Sequence, residues 1–160
     1  MSTETINPFV KPTLPVNIIL AEDDYDDCYL FKYSLDELKI NFRLITLKNG
    51  EELMSLLNSD SVELPHVVFL DINMPRKNGL ECLAEIKGNE KLKHLAVIIL
   101  STSYSPSIIK QLFNGGAHFY IQKPCDVVQF RQVIGDALTL VMDPAVIRPV
   151  FENFMLIRET

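Results

Sequence analysis

Glu22, Asp23, Asp71, Ser101 and Lys123 are the residues of this chain whose types and spacing point to chemistry. They are far apart in sequence, yet each stands at the end of a short apolar run. Glu22 and Asp23 follow residues 16–21, Asp71 follows 67–70, Ser101 follows 95–100, and Lys123 follows 117–121 by one residue. If those runs are parallel strands of one open sheet, the five side chains meet at its carboxyl edge, where α/β sheets place their sites. Three carboxylates gathered there repel one another; two unit charges about 4 Å apart cost roughly 4 kcal/mol at an effective dielectric near 20. Such a cluster calls for a cation, and a few hard oxygen ligands suit Mg2+, which keeps several waters and commonly takes a phosphate oxygen as well. Carboxylates, a metal, a hydroxyl and a lysine together suggest phosphoryl transfer onto a carboxylate. Asp71 is then the nucleophile, already ionised at neutral pH and needing no general base. Ser101 and Lys123 help neutralise the phosphoryl oxygens. An ordinary nucleotide or flavin site fits poorly, since the loop after the first run is acidic rather than a glycine-rich cradle of N–H groups.

The elements that must position these groups alternate in period. The apolar runs at 16–21, 42–47, 67–70, 95–100 and 117–121 are short and rich in β-branched residues, as buried strands are. Between them, apolar residues recur at helical spacing: Cys28, Phe31, Leu35 and Leu38, then Leu53, Leu56 and Leu57, then Leu80, Leu83 and Ile86. Ile108, Ile109, Leu112 and Phe113 follow, and a last long stripe runs from Phe130 to Val141. Asn49-Gly50 and Asn78-Gly79 read as turns, Gly88 as a C′ glycine, and Ser105-Pro106 as an N-cap with proline at N1. Five β-α repeats whose strands read apolar on both faces predict a parallel sheet with helices on both sides, an α/β three-layer sandwich.

Composition narrows the class. The 160 residues suffice for one domain, and 48% hydrophobic with 22% charged residues is globular usage. A formal charge of −6 disfavours a nucleic-acid binder, which needs a basic face. Cys28, Cys82 and Cys125 are odd in number and widely spaced, which fits reduced thiols in a cytoplasmic protein and no disulfide scaffold. No apolar run is long enough for a membrane span, and the N-terminus has no signal-peptide pattern. Pro8, Pro12 and Pro15 predict an extended arm over residues 1–15, ahead of a domain over 16–141. Residues 142–160 form an extension in which Pro149 opens a short helix carrying Val150, Phe151, Phe154 and Ile157 on one side. That stripe either packs on the body or adds to a dimer surface.

Four segments carry a family resemblance. Ile-Ile-Leu-Ala-Glu22-Asp23, Phe-Leu-Asp71-Ile-Asn73-Met-Pro75-Arg-Lys-Asn78-Gly79, Leu-Ser101-Thr102-Ser and Tyr120-Ile-Gln-Lys123-Pro124 resemble, in order, the receiver domain of bacterial two-component response regulators over roughly residues 16–140. The resemblance implies a flavodoxin-like (βα)5 fold with strand order 2-1-3-4-5. It implies that Asp71 accepts the phosphoryl group and that Mg2+ is held by the Asp23 and Asp71 carboxylates, the Asn73 carbonyl and, through water, Glu22. Ser101 and Tyr120 become the switch pair, Lys123 pairs with the acyl phosphate, and the Lys123–Pro124 bond is expected to be cis. Asn78 stands where Asp is commoner, Ser101 where Thr is commoner, and Thr102 is bulkier than the usual Ala or Gly, which is expected to slow access to the phosphoryl group. The implied partners are a sensor histidine kinase, of the phytochrome type among others, or a histidine phosphotransfer protein. A homodimer is implied through the face of the fourth helix, fifth strand and fifth helix, or through the extension.

The plainer readings are these. Asp24, Asp26 and Asp27 complement a helix N-terminus. His66, His94 and His118 fit no metal spacing and are taken as non-functional, and the cysteines as inert small apolar residues. Two other functions remain open. One is a phosphorylation-independent interaction module on the same fold. The other is an aspartyl-phosphate hydrolase, which Asn73 disfavours because such enzymes use a second carboxylate two residues on as acid/base.

Overall fold

A computed structural model of the chain describes residues 14–102, 105–123, 126–145 and 148–156. Five strand–helix units follow in sequence: β1 (Val16–Ala21), α1 (Tyr25–Glu37), β2 (Phe42–Leu47), α2 (Gly50–Leu57), β3 (Val67–Asp71), α3 (Gly79–Lys87), β4 (Ala96–Ser101), α4 (Pro106–Asn114), β5 (Phe119–Gln122) and α5 (Val127–Met142). A two-residue strand β6 (Met155–Leu156) completes a six-stranded parallel sheet of order β2-β1-β3-β4-β5-β6. The expected five-stranded order 2-1-3-4-5 is its core.

The strands are apolar on both faces because each face feeds a separate core. Ile19, Ala21, Val68, Leu70, Val97, Ile99 and Tyr120 pack with α2, α3 and α4. Ile18, Leu20, Val67, Phe69, Ile98, Leu100, Phe119 and Ile121 pack with α1 and α5, where Phe31 meets Phe69 edge-on at 4.8 Å between ring centres. β2 differs: Arg43, Ile45 and Thr46 are exposed, as befits an edge strand.

Local sequence fixes where helices begin. Asp24, Asn49, Asn78 and Asp126 are N-caps whose side chains accept a backbone N–H two or three residues on. Asn49-Gly50 and Asn78-Gly79 are therefore helix starts, each glycine being the first helical residue. Ser105 caps α4 by position only, its hydroxyl meeting Ser107 instead, with Pro106 opening the helix as expected. Gly88 does end α3, but in ordinary right-handed geometry (φ −85°); the left-handed glycine is Gly116 (φ 99°), just past α4.

The C-terminal extension departs from the expected helix. Pro149 precedes a single 3-10 turn (Phe151–Asn153), after which the chain runs extended. The reason lies at β5, whose outer edge offers unpaired ladder groups: the Tyr120 N–H donates to Phe154 O at 2.9 Å. Phe154 is fully buried against Phe113 and Tyr120, whereas Val150 and Phe151 are exposed. Residues 1–13 of the arm expected over 1–15, together with Pro124, Cys125 and Ile157, lie outside the described residues, and with them the expected cis Lys123–Pro124 bond.

Candidate functional site

The carboxyl ends of β1, β3, β4 and β5 bring Glu22, Asp71, Ser101 and Lys123 to one place. Glu22 follows β1 and is 1% exposed, an unusual depth for a carboxylate. Its Oε1 accepts the Asp24 N–H (3.1 Å) and its Oε2 the Lys123 ammonium (2.7 Å). Asp71 ends β3, buried; Oδ1 accepts the Asn73 N–H (3.1 Å) and Oδ2 faces Lys123 Nζ at 3.4 Å. Asp23 is exposed at the rim, yet one carboxylate oxygen each from Glu22, Asp23 and Asp71 lies within 4.8 Å of the others. Among the described residues this is the one His/Cys/Asp/Glu group compact enough to hold a metal ion. All-oxygen, acidic and partly open, it suits a hard divalent cation.

Gly79 sets the depth of Asp71. A Cβ at position 79 would lie 2.6 Å from the Asp71 carbonyl oxygen and 2.8 Å from Ile72 Cα, so only glycine lets α3 start this close to β3. The Gly79 N–H donates to Ile72 O (2.9 Å), closing the loop after the strand, and Arg76 within it takes a left-handed φ of 68°. Asn73 sits exposed in this loop.

The ammonium of Lys123 is the cation of the site. It is held by three carboxylates, the third being Asp27 Oδ2 at 3.0 Å. Burial alone would lower its pKa, but the bonds to Glu22 and Asp27 outweigh burial and hold it above the usual lysine value. Burial pushes the Glu22 carboxyl up to about 7; Asp71 pushes the same way and Lys123 opposes. Asp27 is the residue that sequence reasoning set aside as a helix-terminus charge. It stands one helical turn beyond Asp23, on α1, which begins at the site, but that spacing alone does not set it apart from other first-turn acids. Asp24, by contrast, is the N-cap of that helix, accepting the Asp27 N–H at 3.0 Å.

Ser101 and Tyr120 are both fully buried, and the Tyr120 hydroxyl is hydrogen-bonded to Ser101. Burial raises the phenol pKa, and the Ser101 bond opposes that rise. The Lys123 N–H donates to Ser101 O at 2.8 Å, so β4 and β5 carry hydroxyl and ammonium in fixed relation. Thr102 is exposed beside them. Cys28 and Cys82 are free thiols, each pushed up to about 11 by burial, which makes them poor nucleophiles. No helix of the described residues is long and apolar enough to cross a membrane.

Comparison with known proteins agrees with this geometry. Residues 18–135 match the family model of the response regulator receiver domain. The response regulator Rcp1 of Synechocystis is 33% identical over 113 residues, 68% of this chain and 77% of that protein. The polar-differentiation response regulator DivK of Brucella anthropi is 27% identical over 128 residues, 78% of this chain and the whole of that one. Among solved structures, the Mn2+-bound form of Rcp1 superposes with a TM-score of 0.73 at 28% identity, covering 85% of this chain and 100% of the other. The phosphorylated cyanobacterial phytochrome response regulator RcpA gives a TM-score of 0.75 at 28% identity, covering 83% and 98%. A divalent metal site is thus suggested twice, by the acidic cluster here and by the metal-bound relative. The chain belongs to the response regulator receiver domain family, whose members are signalling proteins.

Proposed function

We infer that this protein is a response regulator whose receiver domain takes a phosphoryl group onto Asp71 from a sensor histidine kinase or histidine phosphotransfer protein. The observation that carries this reading is the meeting of Glu22, Asp23 and Asp71 oxygens within 4.8 Å, with the Lys123 ammonium 3.4 Å from Asp71. Asp71 attacks the donor phosphorus through one carboxylate oxygen; the new P–O bond forms as the bond to the donor breaks, and the donor leaves with that electron pair. Glu22, Asp23, Asp71 and the Asn73 carbonyl would hold Mg2+, which supplies charge neutralisation at the phosphoryl oxygens. Lys123 then pairs with the acyl phosphate and Ser101 donates its hydroxyl to it. The protein supplies this machinery itself, so phosphorylation from a small donor and later hydrolysis need no separate enzyme.

Taking Ser101 from Tyr120 is the step that couples phosphate to the surface. The phenol hydroxyl gives up its bond to Ser101, and the packing of Tyr120 against Phe154 changes with it. The unit that switches spans residues 16–141, with an N-terminal arm over 1–15 and an extension over 142–160 whose Met155 and Leu156 pair with the edge of β5. A homodimer through α4, β5 and α5 or through the extension belongs to this reading, built on Phe154–Leu156 rather than on a bare strand edge. Free Cys28 and Cys82 fit a cytoplasmic setting.

Intact mass after incubation with acetyl phosphate tests the reading. A single Mg2+-dependent phosphoryl adduct is expected on the wild type and none on Asp71→Asn. An unmodified wild type that also fails to bind fluoroberyllate overturns it.

A further inference from the structure

The three histidines of this chain, dispersed at 66, 94 and 118, line one cavity at the opposite end of the sheet from Asp71. It opens at the amino ends of β3, β4 and β5, beside the last turn of α5, and encloses about 350 Å3. Lys91 and Arg148 complete its polar wall, and among the described residues no carboxylate, amide or hydroxyl side chain lines it. In a protein of net charge −6 such a wall is out of keeping with the rest of the surface.

The hydrogen bonds fix what this wall offers. The Asn17 N–H donates to His66 Nδ1 (2.9 Å) and the Val97 N–H to His118 Nδ1 (3.3 Å). Each neutral imidazole is thereby set with its proton on Nε2, a donor. Arg148 spends Nε on Ala117 O (3.2 Å) and rests its guanidinium on Phe113, 4.3 Å from the ring centre. Among the described residues no hydrogen bond uses its four other N–H donors. Lys91 adds an ammonium that, among the described residues, is tied by a solvent-exposed pair with Asp60 (3.2 Å), a weak tether. Basic side chains near helix C-termini often do no more than satisfy carbonyls, and Lys87 does so here, donating to Lys93 O and Leu95 O. That account does not cover His66 and His118, whose Nδ1 atoms accept backbone N–H bonds and so leave Nε2 as the donor nitrogen.

A wall made of donors and cations, with apolar flanks such as Phe119 and Leu140, is complementary to a ligand made of acceptors. We propose that the cavity bounded by His66, His94, His118, Lys91 and Arg148 binds a small organic oxyanion, a phosphate ester or polycarboxylate. Its volume is at the lower end for small-molecule sites, which suits a metabolite and not a peptide. The ring nitrogens are too dispersed to form a metal group of the compactness seen at Glu22, Asp23 and Asp71, and two permanent cations beside them oppose a metal. Arg148 begins the segment that carries Phe154 to Tyr120, so an anion held there would bear on the C-terminal extension as well.

Because the chain has only three histidines, their imidazole 1H–15N correlations report on this cavity directly. The full chain is titrated with pyrophosphate and with citrate at fixed pH and ionic strength, in EDTA so that the acidic cluster cannot recruit an anion through metal. Saturable shifts of the histidine signals with either anion are expected, and the better anion identifies the ligand class. Arg148→Gln and Lys91→Gln should each weaken binding roughly tenfold, the loss of one charge-assisted bond. Lys91 is exposed, so its variant keeps the test sound if Arg148→Gln loosens the extension. Shifts that never saturate, or saturable shifts that both variants leave unchanged, overturn the proposal. So does saturable binding of Zn2+ at the histidines with no response to either anion.

Discussion

Replacing Lys123 by Met keeps the aliphatic stem and removes one charge from among three carboxylates. Glu22 and Asp71 lose their ammonium at 2.7 and 3.4 Å while remaining buried, and Asp27 loses one at 3.0 Å but is half in solvent. Stripping one partner from a buried ion pair ordinarily costs about 3–5 kcal/mol. The loss here is smaller, because Glu22 already sits up at about 7 and sheds its charge by taking a proton near neutral pH. About 2 kcal/mol remains, which for a chain of this size lowers Tm by roughly 4–8 °C at pH 7. The sign of the pH dependence follows. Without Lys123, the folded pKa of Glu22 rises further above its unfolded value of 4.5, so the folded state binds the extra proton and loses stability as pH climbs. The gap between wild type and Lys123→Met should be small at pH 5 and widen toward pH 8.

Metal separates this account from simple misfolding. The wild-type ammonium competes with a divalent cation for the same carboxylates. Removing a unit charge about 4 Å from a divalent ion relieves at least about 2 kcal/mol even at water-like screening, so Mg2+ should bind roughly tenfold tighter or more. Phosphoryl acceptance should fall in the same variant. Thermal melts across pH, with and without Mg2+, joined to a Mg2+ titration, decide the matter. A variant that loses Mg2+ affinity together with stability, or whose deficit ignores pH, refutes the reasoning.

Four further outcomes are expected. Metal-free wild type should lose stability at this site as pH rises from about 4.5 to 7, since Glu22 is held above its ordinary value, and Mg2+ should flatten that slope; melts in EDTA and in Mg2+ read both. Asp27→Asn should change stability by less than about 1 kcal/mol, because its carboxylate is half exposed, yet loosen Lys123 enough to alter Mg2+ affinity, and an unchanged Mg2+ titration would show that Asp27 is a bystander. Gly79→Ala drives a Cβ onto the Asp71 carbonyl and should cost about 1–3 kcal/mol while lowering phosphorylation by acetyl phosphate, a deficit that refolding does not cure. Phe154→Ala empties the buried contact with Phe113 and Tyr120; hydrogen exchange at the Tyr120 amide, which is bonded to Phe154 O, should quicken while the amides of β3 stay protected.

Much of this was legible in the sequence because each part was set by short-range rules. Residues 16–21 and 42–47 have the strand bounds their apolar runs suggested, and Asn78 and Ser105 start helices where turn chemistry put them. Glu22, Asp71, Ser101 and Lys123 were found because a parallel sheet delivers every strand end to one edge, so position after a strand translates into position in space. What was not legible depended on partners from elsewhere in the chain. Asp27 resembles any acid in the first turn of a helix until Lys123 is seen 3.0 Å away. The extension carries a helical stripe, but the open edge of β5 outbid a short helix for its backbone groups, and a 3-10 turn is all that survives.

The same sheet polarity explains why the histidines escaped notice. A parallel sheet has two chemically different ends, and its topology brings residues together at the amino ends of the strands as well as at the carboxyl ends. His66 precedes β3, His118 precedes β5 and His94 stands just before β4, so the rule that gathered the carboxylates gathers the imidazoles at the opposite end. Spacing hid them because 28 and 24 residues separate neighbours in sequence, and no metal or catalytic pattern has that period. The acceptor-rich end holds the Lys123 ammonium, whereas among the described residues no carboxylate lines the donor-rich cavity. Arg148 joins that second end to Phe113, from where Phe154 leads to Tyr120 and Ser101. An event at Ser101 and an event at Arg148 would therefore act on the same aromatic cluster, and any coupling between them must be reciprocal at equilibrium: the factor by which a bound anion shifts the phosphorylation equilibrium is the factor by which phosphorylation shifts anion affinity.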